Sequence, residues 1–299
     1  MNVLVTGGAG YIGSALLPEL VARGHDVRIL DDFSLSSPRN LTAVSTDDYE
    51  FVRGDVRDSD AVERAVEDVD TIIHLAAITG AATSHEIREE VNDVNVEGTK
   101  AVVDAAVDAG VERVVLASSC NVYGSAYDRD IVEDDAVAPP NPYAESKVAA
   151  EQYCRNADVE TVSMRLATNF GWSPGVRFNL VVNTFTFRAL VGEPLTVYGD
   201  GSNWRPFIHV LDAARAYADA LDWEPGTYNV GLDNFRIEEI AELVESTVGE
   251  SVDITYQHEQ DPGPSYHVNF EKAREQGFEP THTLTEGVKS LASHFTNHD

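Results

Sequence analysis

Thr6-Gly7-Gly8-Ala9-Gly10-Tyr11-Ile12-Gly13 follows a short apolar run at the start of the chain, and it restricts the fold more than any other segment. Glycine at 7, 10 and 13 lets the backbone turn tightly and approach a pyrophosphate, which then rests on the N-terminus of the next helix. The pattern is weak alone. It gains weight here because residues 3–6 read as a buried strand and residues 12–23 as a helix.

The rest of the first half repeats that alternation. Residues 27–30, 49–53, 71–75, 114–117 and 161–166 are strand-like, and residues 60–67 and 91–109 have helical periodicity. Gly24 and Gly110 stand where helix C-caps belong, while Pro18 should bend the first helix. This predicts an α/β fold, a Rossmann-type doubly wound parallel sheet with a smaller α/β substrate lobe. The expected division is 1–166 for the dinucleotide-binding domain and 167–299 for the substrate lobe, with about 205–232 returning to the first. In the second half the reading is helix at 180–191, strand at 195–198, a turn at 200–203, then strand, helix and strand at 207–210, 211–221 and 227–230. From 237 the pattern alternates again and ends in a helix over 285–295.

Asp and Glu number 51 against 21 Lys and Arg, a net charge of -30 spread along the 299 residues. Such a surface excludes nucleic acid and anionic membrane as partners. With arginine preferred to lysine, it points to a salt-rich cytosol, where screening over about 3 Å at ~1 M limits self-repulsion. No basic leader or membrane-length apolar run is present, which reads as cytoplasmic. Cys120 and Cys154 are too few for a disulfide framework, and the nine histidines lack ligand spacing, so no metal is expected.

Tyr143 and Lys147 lie four apart in Asn141-Pro142-Tyr143-Ala144-Glu145-Ser146-Lys147. On a helix that spacing puts both on one face. Asn141 is a good N-cap and Pro142 a good first helical residue. Such a pair also arises as a surface aromatic beside a solvated lysine. Against that, Lys100, Lys147, Lys272 and Lys289 are the only lysines in the chain. An ammonium beside the phenol would hold it partly ionised near neutral pH; a shift from ~10 toward ~7 takes about 4 kcal/mol, the size of one close charge pair at an effective dielectric of about 20.

The glycine loop and this pair together indicate nicotinamide chemistry. Asp31, at the end of the second strand, would accept from the adenosine ribose diol and repel a 2′-phosphate, with Asp32 adding to the bias. The expected cofactor is therefore NAD.

With Gly7, Asp31, Ser119, Tyr143 and Lys147 in this order, the chain resembles the extended short-chain dehydrogenases/reductases, in their nucleotide-sugar epimerase and dehydratase branch. Supporting motifs are Gly54-Asp55-Val56, His74-Leu75-Ala76-Ala77, Asn95-Val96-Glu97-Gly98-Thr99, Ser118-Ser119-Cys120-Asn121-Val122-Tyr123-Gly124 and Arg205-Pro206-Phe207-Ile208-His209-Val210 with Asp212. The resemblance implies Ser119, Tyr143 and Lys147 as catalytic residues. It implies a cofactor site of Gly7, Gly10, Tyr11, Ile12, Gly13, Asp31, Asp32, Asp55, Val56, Leu75, Ala76, Ala77, Asn95, Tyr143 and Lys147. For the substrate it implies Thr79, Ser119, Cys120, Asn121, Tyr143, Thr168, Asn179, Arg205 and Tyr266, with a nucleotide sugar, UDP-linked by preference. It also implies a homodimer joined through helices 91–109 and 143–156.

The departures from the family pattern are informative. Dehydratases resembling this chain carry an acidic pair immediately after the catalytic residue, where Cys120 and Asn121 stand. Galactose epimerases often have lysine at Thr79. Near Asp261-Pro262-Gly263-Pro264 the late arginine that commonly clasps the diphosphate has no counterpart, leaving Arg205 and Arg177. The expected activity is NAD-dependent epimerisation at sugar C4 through a 4-keto intermediate. The alternative is a net sugar or nucleotide-sugar dehydrogenase or 4-ketoreductase. A non-enzymatic NAD sensor is disfavoured by the intact Ser119, Tyr143 and Lys147.

Overall fold

The computed structural model describes residues 1–80, 83–125, 129–248 and 252–296. The elements run β1 (Asn2–Thr6), α1 (Gly13–Ala22), β2 (Asp26–Asp31), β3 (Tyr49–Arg53), α2 (Ser59–Val66), β4 (Thr71–His74), α3 (Arg88–Asn92), α4 (Gly98–Ala109), β5 (Arg113–Ser119), α5 (Pro142–Asn156) and β6 (Glu160–Leu166). They continue with β7 (Thr168–Phe170), α6 (Val181–Leu190), β8 (Leu195–Tyr198), β9 (Trp204–His209), α7 (Val210–Asp219), β10 (Gly226–Val230), β11 (Asp233–Arg236), α8 (Ile237–Val248), β12 (Ile254–Gln257), α9 (Glu271–Glu275) and α10 (Leu284–Thr296).

Seven strands form one parallel sheet in the order β10-β6-β5-β4-β1-β2-β3, the doubly wound Rossmann architecture. Because β1, β4 and β5 are covered on both faces, their central residues are apolar on both sides; Leu4, Ile72 and Val114 face one layer and Val5, Ile73 and Val115 the other. α1 and α7 pack together on one side. There α1 buries Leu16, Leu17 and Leu20, each worth roughly 1.5–3 kcal/mol. The chain order reverses between β1 and β4, so their carboxyl ends flank the crevice where α/β sheets bind ligands.

A three-stranded sheet, β11-β9-β7, and a pair, β12-β8, build the second lobe with α6, α8 and α10 around Phe170, Phe185, Phe207 and Ile240. Of the stretch 205–232, β9 lies in the small sheet, whereas α7 packs on α1 and β10 joins the large sheet beside β6.

Gly24 (φ +79°) and Gly110 (φ +74°) take left-handed conformations just past α1 and at the end of α4, as their positions predict. α1 runs on through Pro18. The helix expected at 91–109 is different. Between α3 and α4 the residues Asp93–Glu97 form a π turn, which widens the helix by one residue and turns Asn95 inward. The Asn95 carbonyl is taken up by Thr99 Oγ1 at 2.6 Å.

Candidate active site

The glycine loop leaves β1 at the sheet's carboxyl edge. A Cβ on Gly7 would meet the Ala76 backbone N at 2.7 Å, and one on Gly13 would meet the Gly8 carbonyl at 2.5 Å, so both positions require glycine. Gly10 differs: a Cβ there would meet only the Gly7 carbonyl at 3.2 Å, because its other side is open. α1 begins at Ile12 without a side-chain cap. Ser14 N already donates to Gly10 O at 2.9 Å, so the amides left to an anion are those of Tyr11, Ile12 and Gly13, and the loop fits a dinucleotide diphosphate.

Tyr11 and Ile12 offer this loop their backbone more than their side chains. The Tyr11 hydroxyl donates to the Gly171 carbonyl at 2.6 Å, and Ile12 packs on the core. The Asp31 carboxylate accepts from Ala9 N at 3.0 Å, Phe33 N at 2.9 Å and Ser36 Oγ at 2.8 Å, holding the glycine loop to the end of β2. Asp32 caps Ser34 N at 2.8 Å. Asp55 is paired with Arg57, whose guanidinium holds its carboxyl below the ordinary value, and Val56 is buried against Gly98. Leu75, Ala76 and Ala77 follow β4 and stay half-buried at the crevice.

Asn95 requires a correction. It is buried, its amide donates to Ile78 O at 2.9 Å and Ser146 Oγ at 2.9 Å, and its carbonyl accepts from Ile78 N at 2.8 Å. With both N–H groups used, its side chain ties the β4 loop to α5 and has no donor left for a cofactor.

Asn141 caps α5 through Ala144 N at 2.9 Å, with Pro142 in the first turn. Tyr143 and Lys147 therefore lie on one face, the ammonium 5.8 Å from the phenol ring's centre. Ser119, at the end of β5, accepts from Asn121 N at 3.2 Å and hydrogen-bonds the Tyr143 phenol. The structure thus brings Ser119, Tyr143 and Lys147 together. It does not bear out a phenol ionised by Lys147. Burial raises the phenol above its ordinary value; the Ser119 bond and the charge of Arg177 oppose that without overcoming it. Lys147 is itself buried, which lowers its ammonium to about 8 although Glu151 acts against the shift. His74, bridging Thr6 Oγ1 at 2.7 Å and Thr99 Oγ1 at 3.0 Å, is held neutral, pushed down to about 3 by burial and then by Lys147.

On the substrate side, Asn121 and Thr168 are half-buried. Asn179 is exposed and accepts from Arg177 Nε at 3.3 Å. Thr79 accepts from Arg177 Nη1. The Arg205 guanidinium lies 5.4 Å from the Tyr266 ring centre and donates to Trp204 O and Pro262 O. Two expectations need correcting here. Cys120 is 1% exposed, and its thiol donates to Arg165 O at 3.0 Å, so it faces the core and presents no surface to a substrate. Tyr266 is 4% exposed and serves as the platform under Arg205.

Two features go beyond the sequence reading. Arg177, considered from the sequence only for a diphosphate, lies close enough to Tyr143 for its charge to act on the phenol. Behind the site, Arg165 grips Glu151 through Nε at 2.9 Å and Nη2 at 2.7 Å, and Ser118 Oγ donates to the same carboxylate at 2.5 Å. The signal for Glu151 was present, since it continues the four-residue spacing of Tyr143 and Lys147. Among the described residues no group of His, Cys, Asp and Glu is arranged to hold a metal, and no helix is long and apolar enough to cross a membrane.

A family model described as the NAD dependent epimerase/dehydratase family matches residues 3–231. The chain is 33% identical to the low-salt glycan biosynthesis protein Agl12 of Haloferax volcanii, with 100% of each covered. It is 33% identical to the UDP-glucose 4-epimerase of Mycolicibacterium smegmatis, with 99% of each covered. Among solved structures, the UDP-glucose 4-epimerase of Thermus thermophilus in complex with NAD superposes with a TM-score of 0.89 at 30% identity, covering 100% of both chains. dTDP-D-glucose 4,6-dehydratases and uronic-acid decarboxylases match at 31–32% identity.

Proposed function

The chain belongs to the NAD-dependent epimerase/dehydratase family, and from that premise we propose that it is a nucleotide-sugar 4-epimerase acting through a transient 4-keto intermediate. One observation carries the choice within the family: Ser119, Tyr143 and Lys147 converge where a sugar hydroxyl would sit, while the next positions, Cys120 and Asn121, supply no carboxyl group. Loss of water from a 4-keto sugar needs a proton donor at C6 and a base at C5, and an amide and a core-facing thiol provide neither.

NAD is the cofactor of this reading, and it supplies the hydride acceptor and donor when bound. Its diphosphate would be held by the amides at the start of α1, its adenosine ribose by Asp31, and its adenine by Asp55 and Val56. Tyr143 removes the proton from the C4 hydroxyl as the 4-keto sugar forms and returns it to the same oxygen once that sugar has turned its other face, so no net proton is exchanged. Ser119 donates to the same sugar oxygen. Lys147 would hold the nicotinamide ribose, and its ammonium, 5.8 Å from the ring centre, adds positive charge beside the phenol. Because burial keeps the phenol protonated in the free protein, the phenolate forms only as the site fills, when added positive charge offsets desolvation. Arg205, on its Tyr266 platform, faces the substrate diphosphate. The reading includes a homodimer through α4 and α5, which lie side by side within one protomer, Tyr153 of α5 donating to Asp104 of α4.

The test is to follow products of UDP-glucose and UDP-galactose by mass spectrometry. We expect an epimer of unchanged mass, formed without added NAD. Loss of two hydrogens would mark the dehydrogenase alternative, and accumulation of a product lacking one water would overturn the assignment.

We further propose halophilic adaptation, supported by the net charge of -30 and the Haloferax relative. Activity and melting temperature are expected to rise together from dilute buffer to molar potassium chloride, as screening shortens to about 3 Å at ~1 M. A melting temperature highest in dilute buffer would contradict this.

A further inference from the structure

Residues 171–177 of the second lobe form a strap across the glycine loop. Gly171 O accepts from Tyr11 Oη at 2.6 Å, Ser173 Oγ donates to Tyr11 O at 2.8 Å, and Gly175 N donates to Ser14 Oγ at 3.2 Å. A Cβ on Gly175 would meet Gly10 O at 2.8 Å, so strap and loop touch backbone to backbone. Asn183, on α6, accepts from Gly171 N at 3.0 Å and donates to Arg177 O at 3.0 Å, so one amide group ties the two ends of the strap together. Its other N–H donates to Tyr11 Oη at 3.2 Å. The bonds from Asn183 to Gly171 and Arg177 are internal to the second lobe and give the strap its shape. Those to Tyr11 cross between the lobes and hold the strap down. Asn183 is 0% exposed and Tyr11 7%, so these bonds are shielded from water.

The course of the strap matches one half of the cofactor site. Gly175 rests on Gly10, beside the Tyr11, Ile12 and Gly13 amides that are left to a diphosphate. Two residues on, the Arg177 side chain donates to Thr79, next to Ile78, which Asn95 ties to Ser146 on the helix that carries Tyr143. A dinucleotide reaching from those amides to the phenol carries its nicotinamide half along this line. Its adenosine half runs the other way, toward Asp31.

We propose that Tyr11, with Asn183, is the latch that keeps this strap closed over the nicotinamide half of bound NAD and so sets how slowly the cofactor leaves. The hydroxyl acts through its two buried hydrogen bonds. With phenylalanine in its place, Gly171 O and one Asn183 N–H would have no partner while the strap is closed and would regain water when it lifts, which favours the open arrangement. The side chain works on NAD through the strap, so Tyr11 is a positioning residue. The inference goes beyond the 4-epimerase reading, because it holds for whichever sugar reaction the site performs.

The test is a chase on the purified full chain in molar potassium chloride. Labelled NAD is bound, excess unlabelled NAD is added, and the label that remains is followed for the wild type, Tyr11→Phe and Asn183→Leu. Tyr11→Phe, which keeps the ring and its packing, is expected to release NAD about 10-fold to 100-fold faster, the range for two buried hydrogen bonds. Asn183→Leu should also release it faster. ADP fills the adenosine and diphosphate sites and stops short of the strap, so by calorimetry it should bind Tyr11→Phe as tightly as the wild type. Release of NAD at the wild-type rate by either variant overturns the latch; should Asn183→Leu fail to fold, Tyr11→Phe decides alone. Loss of ADP affinity in Tyr11→Phe as large as the gain in NAD release also overturns it, because Tyr11 would then act by shaping the diphosphate loop.

Discussion

Replacing Tyr143 by Phe is expected to lower turnover by about 100-fold to 10,000-fold, the usual worth of positioned acid-base transfer. The ring stays in place, so the α5 packing and the 5.8 Å separation from Lys147 are kept. Only the phenolic hydroxyl, the group proposed to accept and return the C4 proton, is lost. Steady-state rates, with the NAD content of the purified variant measured alongside, check this. NAD content should match the wild type. Turnover within about 10-fold of wild type would show that another group moves the proton.

Replacing Arg165 by Leu is expected to cost about 3–5 kcal/mol of folding stability. The Arg165 and Glu151 side chains are 5% and 2% exposed, and the guanidinium also donates to Tyr123 Oη at 2.8 Å and Glu133 O at 3.1 Å. Without Arg165, the Glu151 carboxylate would remain in the interior with Ser118 as its hydrogen-bond donor. Denaturant unfolding in molar potassium chloride measures the loss. Arg165→Leu combined with Glu151→Leu should recover most of it, because a well-packed apolar pair of similar volume is often as stable as a buried ion pair. A loss below about 1 kcal/mol in the single variant would mean that the pair is not energetically coupled. Ser118 precedes Ser119 and Glu151 follows Lys147 by one turn, so this network also sets the position of the site.

Much of the fold was legible because its determinants are local. Apolar runs of four to seven residues, glycines past helix ends and the Asn141-Pro142 start of α5 act within a few residues, and the structure reproduces them. The short strands β7, β11 and β12 were not anticipated. Three or four residues carry too little periodicity, and they exist because partners distant in sequence, β9 and β8, offer an edge. The π turn was hidden for a related reason: its cause is the need to aim Asn95 at Ile78 and Ser146, 17 residues before it and 51 after.

The same division runs through the site. Sequence by itself determined the glycine loop, the Tyr143 and Lys147 face, and the absence of carboxyl groups after Ser119, since each depends on residue type and close spacing. Tertiary structure alone decided which side chains remain available. Asn95 has its donors taken, Cys120 turns into the core, and Tyr266 becomes the support for Arg205. It also decided the charge state, because the balance between burial and Coulomb attraction at Tyr143 depends on the surrounding volume and on Arg177, 34 residues away in sequence. Hydrogen-bond capacity and desolvation are properties of a filled three-dimensional neighbourhood, and spacing along the chain does not encode them.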